Sequence, residues 1–115
     1  MKIIEKPWGK EEIIEVNEKY MVKRLTMFKG HRCSLQYHNF KKETVYLLSG
    51  QLRILLGTSL ENLEPRILAL GESITLVPKL IHRMEALEES VYLEASTPEM
   101  DDVVRLSDDY KRELK

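Results

Sequence analysis

A succession of short β-branched and aliphatic runs, each closed by a turn signal, constrains the fold most. Ile13 to Val16, Tyr20 to Phe28, Ser34 to Tyr37, Thr44 to Leu48, Leu52 to Leu56, Arg66 to Leu70, Ile74 to Val77 and Val91 to Ala95 read as strands. Ser49-Gly50, Gly57-Thr58 and Gly71-Glu72 supply tight turns between them. Spacing of roughly 8 to 12 residues with no long helical period predicts an antiparallel sandwich or barrel. Only the tail reads as helix. Ser107 can cap it, Asp108 and Asp109 suit its positive end, and Lys111, Arg112 and Lys115 its negative end. With 115 residues and no repeat or linker, the chain is expected to form one all-β domain over residues 1–115, with a short C-terminal helix.

Composition narrows the partners. The 18 basic and 19 acidic residues are interspersed, giving a net charge of −1. That balance supplies no counterion-release drive toward nucleic acid and no polybasic tract for a membrane surface. The opening Met-Lys-Ile-Ile-Glu-Lys is too charged for a signal peptide, and no apolar run approaches the roughly 20 residues of a membrane span. The single cysteine, Cys33, excludes an internal disulfide and suits a reducing compartment. A cytoplasmic protein that handles a small molecule, with neither nucleic acid nor membrane as partner, is the expectation.

One segment carries metal-ligand chemistry. On a strand, residues two apart project from one face, so Gln36, His38 and Phe40 point one way and Tyr37 and Asn39 the other. Glu43 follows the Lys41-Lys42 turn and heads an otherwise apolar stripe with Val45 and Leu47. A lone inward carboxylate needs a partner, and a divalent cation is one. His82, from a second strand pair, closes a four-ligand set of Gln36, His38, Glu43 and His82. Two imidazoles, a carboxylate and an amide oxygen suit zinc, manganese, iron, cobalt or nickel, and poorly suit copper(I) or an iron–sulfur cluster. The remaining histidine, His31, reads as a solvated loop residue.

This frame resembles the cupin family. Its first motif has Gly, five residues, His-x-His, three or four residues, Glu, six residues, Gly. Its second has Gly, five residues, Pro-x-Gly, two residues, His, three residues, Asn. Gly30, His38, Glu43, Gly50, Gly71 and His82 are placed on those positions, with two extra residues between Gly30 and His38. On this register Phe40 stands where the second histidine of His-x-His belongs. Val77, Lys79 and Ala86 replace the Pro, Gly and Asn of the second motif, and a lysine for that glycine implies a different turn.

A closer likeness is to the cupin domain of type II mannose-6-phosphate isomerases, which are fused to a mannose-1-phosphate guanylyltransferase. Lys6-Pro7-Trp8-Gly9, Lys23-Arg24-Leu25, Ser34-Leu35-Gln36-Tyr37-His38, Ile81-His82-Arg83-Met84-Glu85 and Asp101-Asp102-Val103-Val104-Arg105 resemble that family's motifs, in order. So does the closing run from Asp108 to Arg112. The resemblance implies a cupin jelly roll (a double-stranded β-helix barrel) acting as a metal-dependent isomerase of aldose and ketose phosphates. The set Gln36, His38, Glu43 and His82 also resembles the zinc ligands of type I mannose-6-phosphate isomerases, which places zinc first among the metals.

Aldose–ketose isomerisation needs a Lewis acid at the oxygens and a base near the carbon-bound proton. Glu43, if not a ligand, and Glu94 are the candidate bases. A phosphorylated sugar needs cationic anchors, for which Arg24, Lys79, Arg83 and Arg105 are the candidates, with Arg53 a further possibility. Arg105 leads because it belongs to the closing motif. Alternation allows only one of Lys23 and Arg24 to face inward. Trp8 and Cys33 read as packing residues. Two rival functions remain: a nucleotide-sugar epimerase or ketoisomerase pairing His38 with Tyr46 or Tyr92, and a non-catalytic sugar-binding module. Small cupins pair through their N-terminal strands, so a homodimer is expected.

Overall fold

Eleven strands run through a computed structural model that describes residues 2–112. They are β1 (Lys2–Lys6), β2 (Gly9–Val16), β3 (Met21–Met27), β4 (Leu35–Tyr37), β5 (Glu43–Ser49), β6 (Leu52–Gly57), β7 (Glu64–Leu68), β8 (Ser73–Leu76), β9 (Ile81–Ala86), β10 (Ser90–Ser96) and β11 (Val104–Ser107). A single 3-10 turn spans Leu60–Asn62. A six-stranded sheet has the order β1-β2-β3-β10-β5-β8, and a five-stranded sheet the order β11-β4-β9-β6-β7. Every pairing is antiparallel, and the sheets face each other as a jelly roll.

Alternation decides what the two sheets enclose. In β3, Met21, Lys23, Leu25 and Met27 are buried while Val22, Arg24 and Thr26 lie toward the outside. In β5 the buried set is Glu43, Val45 and Leu47, and in β10 it is Ser90, Tyr92, Glu94 and Ser96. Leu52, Ile54, Leu68, Leu76 and Met84 complete the apolar core with Trp8 and Cys33, so both expected packing residues are in it. Each such side chain contributes about 1.5–3 kcal/mol on burial. Into this wall the sequence inserts Lys23, Glu43 and Glu94, charged groups that need partners. At the turn after β5, Gly50 has φ 87°, and a Cβ there would collide with the Glu89 carbonyl and the Ser90 hydroxyl.

The tail departs from expectation. Val104–Ser107 is a strand paired to β4, and no α-helix is present among the described residues; Lys115 lies outside them. Asp108 does accept the backbone N–H of Arg112 at 2.8 Å, but Lys111 at φ 58° takes the left-handed conformation and ends the turn. Arg32 then grips Asp109 with two hydrogen bonds of 2.6 and 3.0 Å, pinning the tail across the outer face of the five-stranded sheet.

Candidate metal centre and its cavity

A cavity of about 360 Å³ lies between the sheets, lined among others by Gln36, His38, Lys41, Glu43, Tyr92, Glu94 and Arg105. Register sets one wall. Arg105 pairs with Gln36 across β11 and β4, and Gln36 pairs with His82 across β4 and β9. Directly opposed residues share a face, so a guanidinium, an amide and an imidazole stand in a row facing the six-stranded sheet.

His38 and His82 are each oriented by a backbone carbonyl. Nδ1 of His38 donates to the Asp102 carbonyl, and Nδ1 of His82 donates to that of Leu80 at 3.0 Å. Holding the proton on Nδ1 leaves Nε2 as the free nitrogen, the arrangement that orients metal-binding imidazoles. Both Nε2 atoms converge on Oε1 of Glu43, at 3.3 Å from His38 and 3.4 Å from His82, with ring centroids 5.1 Å apart. Asp102 also fixes the loop leading to Glu43: its carboxylate accepts the backbone N–H groups of Asn39, Phe40 and Lys41 at 2.9, 2.7 and 2.9 Å.

Electrostatics at this point are tense. Burial opposes charge on His38, yet the hydrogen bond and charge of Glu43 outweigh it and raise its pKa. Burial likewise pushes Glu43 up, but the adjoining His38 and His82 imidazoles and the charge of Lys41 hold it well below the usual carboxylate range. Burial opposes the Lys41 ammonium, and the charges of Glu94 and Glu43 more than restore it. Glu94 is pushed up to about 7, first by burial and then by the neighbouring charge of Glu43.

The donor set fits a divalent cation. His82 Nε2 is buried without a hydrogen-bond partner among the described residues, and His38, Glu43 and His82 bring ligand atoms within 4.8 Å of one another. Two imidazole lone pairs facing a buried carboxylate call for a proton or a metal ion between them. Gln36 stands beside this group, its amide nitrogen donating to Cys33 Sγ at 3.7 Å.

The expected register of the first motif needs correction. Phe40 is 75% exposed in the loop wrapped around Asp102 and faces no ligand position. Gln36 and His38 face the cavity instead, and five residues separate Gly30 from Gln36, so the His-x-His positions fall on Gln36 and His38 without insertion. The motif has lost a histidine to glutamine at Gln36, not to Phe40. The second motif's turn is also kept, because Lys79 adopts φ 73° in the glycine's place.

Of the expected anchors only Arg105 lines the cavity. Arg24 lies on the outer face, bonded through Nη2 to Glu12 at 2.7 Å, and Lys23 takes the inward position. Lys79 is exposed and donates to the Asn39 side chain. Arg83, next to His82 on the strand, points to the opposite face and donates to the carbonyls of Cys33 and Ser107. Arg53 sits on that same outer face, 3.7 Å from Glu85. Tyr46 is 41% exposed on the outer face, so of the two candidate tyrosines only Tyr92 lines the cavity. His31 lies outside the cavity, its ring stacked on that of Tyr110. Sequence reasoning missed Lys41, whose Nζ lies 3.3 Å from Glu43 and 3.0 Å from Glu94. Its place two residues before Glu43 was the available signal.

Residues 2–108 match the family described as mannose-6-phosphate isomerase C-terminal. The mannose-1-phosphate guanylyltransferase ManC of Salmonella typhimurium is 33% identical over 112 residues, covering 93% of this chain and 22% of that protein. The chain thus spans about a fifth of the length of this relative. Among solved structures, KdgF from Halomonas sp. superposes with a TM-score of 0.76 at 18% identity, covering 88% of this chain and 89% of that one. Bacillus subtilis oxalate decarboxylase, a protein with Mn(II) centres, gives 0.78 at 22% identity over 92% of this chain and 30% of that one.

Proposed function

This chain belongs to the mannose-6-phosphate isomerase C-terminal family, and from that premise we propose that it is a metal-dependent isomerase interconverting an aldose phosphate and a ketose phosphate. The observation that carries the reading is the convergence of His38, Glu43 and His82, with Gln36 beside them and the Arg105 guanidinium in the same row. Gln36, His38, Glu43 and His82 would hold a divalent ion, with zinc first by the resemblance of this set to the type I isomerase ligands and manganese as the rival that oxalate decarboxylase suggests. When bound, that ion supplies Lewis-acid polarisation of the sugar's carbonyl and hydroxyl oxygens.

The chain's own residues do the rest. Arg105 forms no ion pair among the described residues, and its Nε is buried without a partner, so it is a cation held for an anionic ligand. Glu94 is the buried cavity carboxylate outside the ligand set, and it is our candidate to carry the proton between C1 and C2. Asp102 and Leu80 keep the imidazoles from turning. We place this activity in the cytoplasm.

The test is turnover of mannose 6-phosphate and fructose 6-phosphate by zinc- or manganese-loaded protein. Arg105→Gln is expected to raise KM about 10- to 100-fold, the loss of one charge-assisted contact, while changing kcat less. Metal-loaded wild type that turns over no hexose or pentose phosphate overturns the reading.

The same reading includes a homodimer. β1 is the edge of the six-stranded sheet and leaves Ile3 54% exposed, so a second β1 can pair with it. A single monomeric species in sedimentation at micromolar concentration would exclude this.

A further inference from the structure

Glu43 uses its two oxygens differently. Oε1 lies 3.3 and 3.4 Å from the Nε2 atoms of His38 and His82, whereas Oε2 lies 3.3 Å from Nζ of Lys41. The same ammonium donates to Oε2 of Glu94 at 3.0 Å. Lys41, Glu43 and Glu94 are all buried, at 6%, 2% and 5% exposure, so solvent screens the arrangement far less than it would at the surface. A carboxylate with both oxygens free can chelate a cation through both. With Oε2 facing an ammonium, Oε1 alone is left for the cation. Glu94 is a second carboxylate tied to the same ammonium, and it is thereby occupied on the side that Lys41 holds.

We propose that Lys41 is a positioning residue that limits the centre to one carboxylate oxygen, keeping Glu43 to a single-oxygen contact and Glu94 out of the ligand set. This rests on the metal reading above and deepens it: Lys41 leaves a coordination position open for the ligand and leaves Glu94 free as a base. Lysine suits the task because its ammonium offers three donors on a flexible stem, enough to serve two carboxylates at once. A lysine that merely neutralised buried charge would make the opposite prediction, since its loss would loosen the site.

The experiment uses Co²⁺ as probe, with visible absorption and affinity as readouts on wild type, Lys41→Met and Lys41→Met/Glu94→Gln. The double variant removes both members of the pair and so avoids a buried unpaired Glu94 if the single variant folds poorly. In Lys41→Met the added oxygen ligands are expected to lower the visible absorption of bound Co²⁺ about twofold or more. Affinity is expected to rise about 10-fold, because a repelling cation has gone and a carboxylate has joined. The double variant should still differ from wild type, since Oε2 of Glu43 is free, but by less than the single variant. A wild-type spectrum in both variants, or weaker Co²⁺ binding in Lys41→Met, overturns the role of Lys41 alone. No Co²⁺ bound by wild type overturns the metal reading and this inference together.

Discussion

His82→Ala protein is expected to carry almost no metal, against about one equivalent in wild type, with affinity reduced at least about 100-fold. The expectation follows from three local facts. His82 is 1% exposed, its Nδ1 is committed to the Leu80 carbonyl, and its Nε2 has no other partner than the Glu43 carboxylate 3.4 Å away. Alanine leaves a void that the packed strand β9 cannot fill with another donor, because its neighbours on that face are Met84 and Ala86. Phe40→Ala is the companion measurement. The exposed ring serves no ligand position, so that variant should retain the wild-type metal content by mass spectrometry. Metal retained in His82→Ala, or lost in Phe40→Ala, would refute the assigned ligand set.

The walls of the barrel and most of the centre could be read directly, because both follow from a period of two. Met21, Lys23, Leu25 and Met27 alternate inward, as do Glu43, Val45 and Leu47. The same rule put Gln36 and His38 on one face. It also set Arg83 on the face opposite His82, although Arg83 stood among the candidate anchors. Phe40 was placed wrongly because the alternation stops after Tyr37. Asp102, far along the chain, draws three successive amides into a loop, and no local pattern announces such a contact. β1 was missed because this edge strand is largely exposed and offers only Ile3 and Ile4 between charged residues, which is too short an apolar run to read as a strand. β9 escaped for the opposite reason. It is buried on both faces, but the Arg32–Asp109 clasp and the tail carbonyls are what let Arg83 be buried there. In the tail, charges suggested caps, while the Val104-Leu106 alternation found the free edge of β4.

The metal-free protein is expected to lose stability between about pH 4.5 and pH 7, and the metal-loaded protein to gain it over the same range. In the metal-free state Glu94 titrates near 7 instead of near 4.5. Across that window the folded chain still holds a proton that the unfolded chain has released. Stability therefore falls as pH rises, by on the order of 3 kcal/mol in total. His38 acts in the same direction. Its raised pKa contributes stability that is full below the unfolded value near 6.5 and is lost as pH rises through the folded one. Glu43 does not oppose this, because its depressed pKa places its own loss of stability below about pH 4.5, on acidification. Bound metal reverses the slope, since the ion competes with protons for its imidazole ligands and alkali favours the metal-bound state. Thermal melts from pH 5 to pH 8, in chelator and in excess zinc, should give curves that diverge toward alkali. Glu94→Gln should flatten the chelator curve between pH 5 and pH 7 without removing the zinc response. A chelator curve that stays level or climbs through that window would mean that Glu94 is not held protonated by its burial beside Glu43, and would remove it as the candidate proton carrier.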